Sequence, residues 1–112
     1  MSRLKLPHKI KVFDHWLRIY YVNELPNKHG TNDHGEFDEE QKRILITINN
    51  PDFMLQALVH ELTHAMLCFS GISQLLSAKL EEAICVCNEN ILKTMVLSKR
   101  SPNIKWKFYE FE

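Results

Sequence analysis

Residues 50–71, NPDFMLQALVHELTHAMLCFSG, contain the strongest structural signal in this 112-residue sequence. Asn50 is a favoured N-cap residue, Pro51 suits the first helical position, and Gly71 is a common helix terminator. Between these residues, large apolar side chains recur at helical spacings. They are Leu55, Leu58, Val59, Leu62, Met66 and Phe69. The pattern predicts an amphipathic helix whose apolar face packs on the rest of the protein.

The middle of this predicted helix contains the pentapeptide HELTH, residues 60–64, which has the form HExxH. A spacing of four residues places both imidazoles on one face of a helix, one turn apart, where they can bind the same metal ion. On a helical wheel they lie opposite the apolar side chains, whereas a buried pair of core histidines would lie among them. We therefore expect His60 and His64 to be metal ligands, with Glu61 beside the metal and able to act on water.

The segments before the helix predict two β-hairpins. Residues 9–13 and 17–23 are rich in Ile, Val, Tyr and Phe and flank a tight turn at residues 14–16. Residues 35–37 and 43–48 flank a polar turn at residues 38–41, and Ile44, Ile46 and Ile48 share one face of the second strand. The intervening residues 26–35 are dense in turn-forming residues and predict a loop.

A second helix is predicted from residue 77 to about residue 97. Its apolar stripe consists of Leu80, Ile84, Cys87 and Ile91. Catalytic zinc takes three protein ligands and leaves a fourth position for water, so the histidine pair needs a third ligand. Glu81 and Glu82 are the candidates, because a turn near Gly71 would fold the second helix back against the first. Glu81 borders the apolar stripe on a helical wheel and Glu82 faces further out, so we expect Glu81 to be the ligand, with Glu82 as the alternative.

The composition is that of one ordinary globular domain, residues 1–112, with 45% hydrophobic and 25% charged residues. Fourteen basic residues balance fourteen acidic ones, so the total charge implies neither nucleic acid nor an anionic membrane as a partner. No apolar run is long enough to span a bilayer, and the basic N-terminal residues lead into no apolar signal segment. Three cysteines without a disulfide framework favour a cytoplasmic location.

The predicted elements combine into an α+β fold. We expect a small, mostly antiparallel sheet packed on the helix that carries the HExxH motif, with the second helix closing the site. The aromatic-rich residues 104–112 form either a strand or an irregular segment laid on this body.

The sequence HELTHAM, on a helix that follows a β-hairpin and precedes an acidic ligand, resembles the gluzincin branch of the zincin metallopeptidases. Together with the lead-in GEFDEEQKRILITINNP, residues 35–51, it is similar to small bacterial and phage peptidases of the SprT-like and ImmA/IrrE-like kinds. The resemblance covers residues 35–95. It implies a zinc-dependent endopeptidase with one Zn²⁺ per chain, held by His60 and His64, with Glu61 as general base and a peptide or protein as substrate.

Three features of these and related families are absent from the sequence. They are the Cys-rich zinc ribbon of many SprT-like proteins, the Leu-Leu-Met-Pro signature of ImmA-like proteins, and the third histidine of the metzincin motif. The roles of those families in DNA repair and repressor cleavage are therefore not carried over. Two other functions remain open: a non-catalytic metal-binding phage or bacterial accessory protein acting by protein interaction, and a structural domain whose HExxH motif has no chemical role.

Several further residues are weaker candidates. His29 and His34, in the polar loop, could steady an oxyanion in the transition state, and Tyr20 and Tyr21 are alternative donors. Cys85 and Cys87 diverge by about 200° on a helix and cannot easily share a metal ion, so we expect buried, inert thiols. For Cys68, which lies nearer the histidine face, we also expect a packing role.

Overall fold

The computed structural model describes residues 6–26 and 34–100, the side chains of residue 93 and residues 95–100 excepted. The strands are β1 (Lys9–Val12), β2 (His15–Val22), β3 (Gly35–Asp38) and β4 (Arg43–Thr47). The helices are α1 (Pro51–Phe69) and α2 (Ala78–Arg100), separated by a short 3-10 turn at Ile72–Leu75. This is the predicted α+β fold. The loop residue His29 and the aromatic residues 104–112 lie outside the described residues.

Both predicted hairpins form, with β1 antiparallel to β2 and β3 antiparallel to β4. The turn predicted at residues 14–16 is wrong in position: it lies at Phe13 and Asp14, where Phe13 takes a positive φ of 54°, and Trp16 belongs to β2. The two hairpins join through a parallel pairing of β2 with β4, which gives the strand order β1-β2-β4-β3. The sheet is therefore mixed, although two of its three pairings are antiparallel. This order places β3 at an edge of the sheet, where it packs against α1.

The core lies between one face of this sheet and α1. Leu17 and Ile44 are fully buried there, and Leu58 and Ala65 of α1 pack in the same cluster. Burying each large aliphatic side chain stabilises the fold by about 1.5–3 kcal/mol. Ile48, predicted to share one face of the strand with Ile44 and Ile46, is 56% exposed because β4 ends one residue before it.

The predicted ends of α1 are confirmed. The Asn50 side chain accepts a hydrogen bond from the backbone N–H of Phe53 at 2.9 Å, and Pro51 occupies the first helical position. After the helix, Gly71 adopts a left-handed conformation with φ of +83°. Leu58 and Leu62 pack towards the sheet as predicted, whereas Met66 is 52% exposed.

The apolar stripe predicted for α2 is wrong. Leu80 and Ile91 are more than half exposed and Cys87 is exposed, whereas Cys85 is fully buried. The physical reason is that α2 meets α1 through a different face, which carries Glu81, Cys85 and Glu89. Glu81 and Glu89 contact the α1 histidines, and Cys85 lies close to both of them. A search for hydrophobic periodicity cannot identify an interface of this kind. Among the described residues, no helix has the length and apolar character needed to cross a membrane.

Candidate metal centre

The two histidines of the HExxH motif lie side by side on the face of α1 that meets α2. Their ring centroids are 5.2 Å apart, with the ring planes inclined at 60°. Both side chains are mostly buried, with 15% of His60 and 21% of His64 exposed. The four-residue helical spacing thus brings the two imidazoles together, as a shared metal ion requires.

Glu82 of α2 bridges the two imidazoles. Its Oε1 lies 2.8 Å from Nε2 of His60, and its Oε2 lies 3.1 Å from Nε2 of His64. In a tetrahedral zinc site with bonds of about 2.0–2.1 Å, neighbouring ligand atoms are separated by about 3.3 Å. The carboxylate of Glu82 therefore lies where a third ligand to both histidines' metal would lie. Its side chain is 54% exposed, so this side of the centre opens to solvent.

Glu81 and Glu89 contact the other nitrogens of the two rings. Oε2 of Glu81 is 2.6 Å from Nδ1 of His64, and Oε1 of Glu89 is 3.1 Å from Nδ1 of His60. A carboxylate at this position holds a metal-binding imidazole in one orientation and tautomer. Ser73 and His64 both lower the pKa of Glu81, which keeps this carboxylate ionised against the opposing effect of burial.

In this geometry Glu82, and not Glu81, contacts the Nε2 atoms of both histidines. The expectation for Glu81 depended on the apolar stripe of α2, and the structure shows that a different face of α2 packs on α1. The sequence analysis did not predict that Glu89 contacts a histidine. Its spacing of eight residues from Glu81, which places both on one helix face, is the signal that could have identified it.

Cys85 was also missed as a neighbour of the histidines. One ligand atom each from His60, His64 and Cys85 lie within 4.8 Å of one another, so this group could hold a metal ion. Burial and, to a lesser extent, the nearby carboxylates of Glu82, Glu81, Glu61 and Glu89 together raise the pKa of the Cys85 thiol to about 12. The free thiol is consequently protonated at neutral pH, and a metal would have to displace that proton to bind sulfur.

The other two cysteines are not members of this group of ligand atoms, although Cys68 lines the larger of the two cavities beside the histidines. Cys68, as expected, is partly buried, and burial together with Glu39 raises the pKa of its thiol to about 11. Cys87 is exposed on α2 rather than buried, so the expectation of a buried thiol was wrong at this position.

Glu61 is buried and lines the same cavities as the histidines. It is only 9% exposed and lines two adjoining cavities that also border His60 and Glu82. The larger cavity, of about 710 Å³, extends past His64 along β3, and the smaller one, of about 240 Å³, extends towards His34. A carboxylate that faces the same cavities as the two imidazoles can accept a proton from water.

The residues predicted as candidates for transition-state stabilisation lie at different distances from the metal centre. His34 borders the smaller cavity together with Glu61, and its ring lies edge-on to Phe53 at 4.4 Å. Tyr20 projects from the sheet face opposite α1, and the hydroxyl of Tyr21 donates a hydrogen bond to the carbonyl oxygen of Pro7 at 2.6 Å. Among the described residues, His34 is thus the candidate that the fold brings to the centre.

Gly35 of β3 has no side chain, and Glu61 packs in the space that a side chain would fill. A Cβ atom at this position would lie 2.8 Å from Cγ of Glu61 and 3.1 Å from Cδ1 of Ile46. We expect Gly35→Ala to displace Glu61 and to lower the free energy of unfolding by about 1–3 kcal/mol, the usual cost of overpacking. Urea denaturation of the metal-free protein measures this cost.

The matched control for Gly35→Ala is Gly71→Ala. Gly71 has a positive φ and no neighbour within 4 Å of an added Cβ, so its replacement strains only the backbone. We expect Gly71→Ala to destabilise the protein by about 1 kcal/mol and to leave the metal centre unchanged. Wild-type stability for Gly35→Ala would contradict the close packing of β3 on Glu61.

The centre therefore combines two imidazoles, a bridging carboxylate, a buried thiol and a buried carboxylate, within reach of a cavity large enough for a ligand. Comparisons with known protein families, with curated proteins and with solved structures find no match to this chain. The chemistry of the centre itself is the basis for its functional interpretation.

Proposed function

We propose that the protein is a zinc-dependent metallopeptidase in which His60, His64 and Glu82 bind the metal and Glu61 is the general base. The observation that carries this proposal is the Glu82 carboxylate, whose two oxygens each approach Nε2 of a different histidine. Two imidazoles and one carboxylate on neighbouring helices form the His₂Glu set of many catalytic zinc sites. The resemblance of residues 35–95 to gluzincins supports the same interpretation.

The donor set favours zinc over other common metals. Mg²⁺ and Ca²⁺ prefer oxygen ligands throughout, whereas zinc accepts imidazole nitrogen and carboxylate oxygen in tetrahedral geometry. The Nδ1 contacts of Glu81 and Glu89 support this assignment, because they hold both rings with Nε2 directed towards Glu82. Zinc at such a centre supplies Lewis acidity, which polarises a carbonyl group and lowers the pKa of water to about 7.

Glu61 supplies the proton transfers of hydrolysis. Its carboxylate takes a proton from the attacking water and delivers it to the nitrogen of the leaving amine. The side chain of Glu61 is buried against Gly35 of β3. This packing restricts the carboxylate to the side of the centre that faces the cavities. This restriction supports catalysis, because a general base must be held within hydrogen-bonding distance of the water it activates.

A peptide substrate would lie in the larger cavity, along β3. The cavity is bordered on one side by Gly35, Glu36 and Phe37 and on the other by the histidines of α1. Because β3 is an edge strand, its unpaired backbone groups can hydrogen-bond an extended peptide in the manner of an added strand. The scissile bond would then lie above His60 and Glu61.

The experiment that tests this function is cleavage of a broad peptide library, analysed by mass spectrometry. We expect the wild-type protein to cleave peptides, a chelator to stop cleavage, and added zinc to restore it. Absence of cleavage by zinc-loaded protein, or cleavage that continues after complete removal of metal, would contradict the proposal.

Cys85 favours a second candidate, a non-catalytic metal-binding protein that acts by protein interaction. If Glu82 and Cys85 both bound the metal with the two histidines, four protein ligands would close the centre, as in structural zinc sites. A closed site leaves no position for water. Zinc binding without peptide cleavage, combined with loss of zinc in Cys85→Ser, would favour this candidate.

The three carboxylates of α2 should differ in their contribution to zinc affinity. We expect Glu82→Gln to weaken zinc binding by more than 100-fold, because an amide is a poor zinc ligand. Glu81→Gln and Glu89→Gln retain an oxygen that can accept from Nδ1 and should each weaken binding by about tenfold, the lower end for outer-shell partners. Competition with a chromophoric chelator measures all three affinities under the same conditions.

The two outer variants are matched controls for Glu82→Gln, since each makes the same chemical change on the same helix. A large loss in Glu81→Gln with wild-type affinity in Glu82→Gln would show that Glu81 is the third ligand after all. Equal losses in all three variants would mean that only the total negative charge matters.

A further inference from the structure

A second surface lies on the opposite face of the sheet from α1. Its residues are Lys9 and Lys11 of β1 and Trp16, Arg18 and Tyr20 of β2, which we call the basic aromatic face. Lys11 pairs with Trp16 and Lys9 with Arg18, so these four side chains project to the same side of the sheet. All five are exposed, with 52% of Trp16 and 43% of Tyr20 accessible.

Basic and acidic side chains lie at different edges of this side of the sheet. The chain has a net charge of zero, yet β1 and β2 contribute three basic and no acidic side chains to the face. The acidic residues Glu36 and Asp38 lie on β3 at the far edge, where Asp38 pairs with Arg43 at 3.3 Å. Among the described residues, neither lysine nor Arg18 forms an ion pair with a carboxylate. The expectation from total charge, that no nucleic acid is implied as a partner, overlooks this segregation.

The exposed rings and the cations alternate in a regular order. Along β2 the sequence is ring, cation, ring at every second residue, with Trp16 and Tyr20 about 13 Å apart along the strand. The Nζ atoms of Lys9 and Lys11 lie 4.6 and 5.9 Å from the centre of the Trp16 ring. Both ammonium groups thus lie over the Trp16 ring in cation–π contacts, and a base that stacks on this ring would displace them.

We infer that the basic aromatic face binds single-stranded nucleic acid, with bases stacked on Trp16 and Tyr20 and phosphates bound by Lys9, Lys11 and Arg18. Alternating aromatic and basic side chains on the exposed β1–β2 hairpin match the alternating bases and phosphates of an unpaired strand. A duplex would bury its bases and leave the exposed rings without partners. The face is independent of the metal centre, because α1 lies on the other side of the sheet.

The test is fluorescence anisotropy of a labelled oligothymidylate titrated with the full chain at several salt concentrations. We expect saturable binding that weakens linearly in a plot of log affinity against log salt. Trp16→Ala and Tyr20→Ala should each weaken binding by about 5- to 150-fold, the range for one stacked base. Lys11→Gln should lower the salt slope by about 0.7, the value for one phosphate contact on a single strand.

Lys79→Gln is the matched control, because it removes the same charge from exposed α2 and should leave binding unchanged. Glu61→Gln should also bind normally, which separates this proposal from the metallopeptidase proposal. The inference would be overturned by absence of binding at low salt, or by equal losses in Lys79→Gln and Lys11→Gln. Binding to vesicles of anionic lipid but not to the oligonucleotide would overturn it as well. Circular dichroism of each variant establishes that it is folded.

Discussion

Glu61→Gln should lower the rate of peptide cleavage by about 10²- to 10⁴-fold while leaving zinc bound, since that is the usual contribution of a general base. The side chain keeps its size and an oxygen in the same place, but it can no longer take up a proton. Because the Glu82 carboxylate approaches both Nε2 atoms, the proposed ligand set does not include Glu61. The measurement pairs peptide-cleavage rates with zinc content for both proteins.

Glu40→Gln is a suitable control for Glu61→Gln, since Glu40 is an exposed carboxylate in the β3–β4 turn, outside the two cavities at the metal centre. We expect its cleavage rate and zinc content to match the wild type. Equal cleavage by wild type and Glu61→Gln would exclude the catalytic role of Glu61. Loss of zinc in Glu61→Gln would instead identify Glu61 as a ligand.

Replacing both histidines, in His60→Ala/His64→Ala, should reduce bound zinc from about one ion per chain to a negligible amount. The two imidazoles supply two of the three protein ligands, and even outer-shell partners of such ligands account for about 10- to 100-fold in affinity. Elemental analysis of protein purified without added zinc gives the content directly. Circular dichroism of the variant establishes that α1 and the sheet remain folded.

His8→Ala is the matched control for the double variant, because His8 is exposed near the start of β1, where its ring lies edge-on to Tyr21 at 5.6 Å. This variant should retain about one zinc ion per chain. If wild type, control and double variant carried equally little zinc, the HExxH motif would have no role in metal binding and the structural-domain alternative would gain support.

The strands and α1 could be predicted from sequence because their signals are local. The Asn50 cap, Pro51 and Gly71 fix the limits of α1, and the alternating Ile44 and Ile46 identify a strand with a buried face. The parallel pairing of β2 with β4 could not be predicted in the same way. It joins strands that are not consecutive in sequence, and no local pattern distinguishes it from other arrangements.

The HExxH motif likewise predicted that His60 and His64 lie side by side with Glu61 close by, because their relation depends on a single helix. The partners on α2 depend on how two helices pack. Hydrophobic periodicity selected the face with Leu80 and Cys87, but polar contacts to His60 and His64 determine the packing, with buried Cys85 at its centre. A helix held by carboxylate–imidazole contacts offers no apolar stripe to detect.

The total charge of the sequence also says nothing about where the charges lie on the surface. Equal numbers of basic and acidic residues give no indication of a polyanion partner. Only the pairing of β1 with β2 brings Lys9, Lys11 and Arg18 to one surface with Trp16. The register of the hairpin therefore determines which charges share a surface, and composition does not.

X-ray absorption spectroscopy at the zinc edge, on the zinc-loaded wild-type protein, tests the proposed ligand set most directly. Coordination by His60, His64, Glu82 and water predicts only nitrogen and oxygen neighbours, at about 2.0–2.1 Å, with the scattering pattern of two imidazoles. A sulfur neighbour at about 2.3 Å would place Cys85 among the ligands and contradict an open catalytic centre. A spectrum without imidazole scattering would contradict the metal centre altogether.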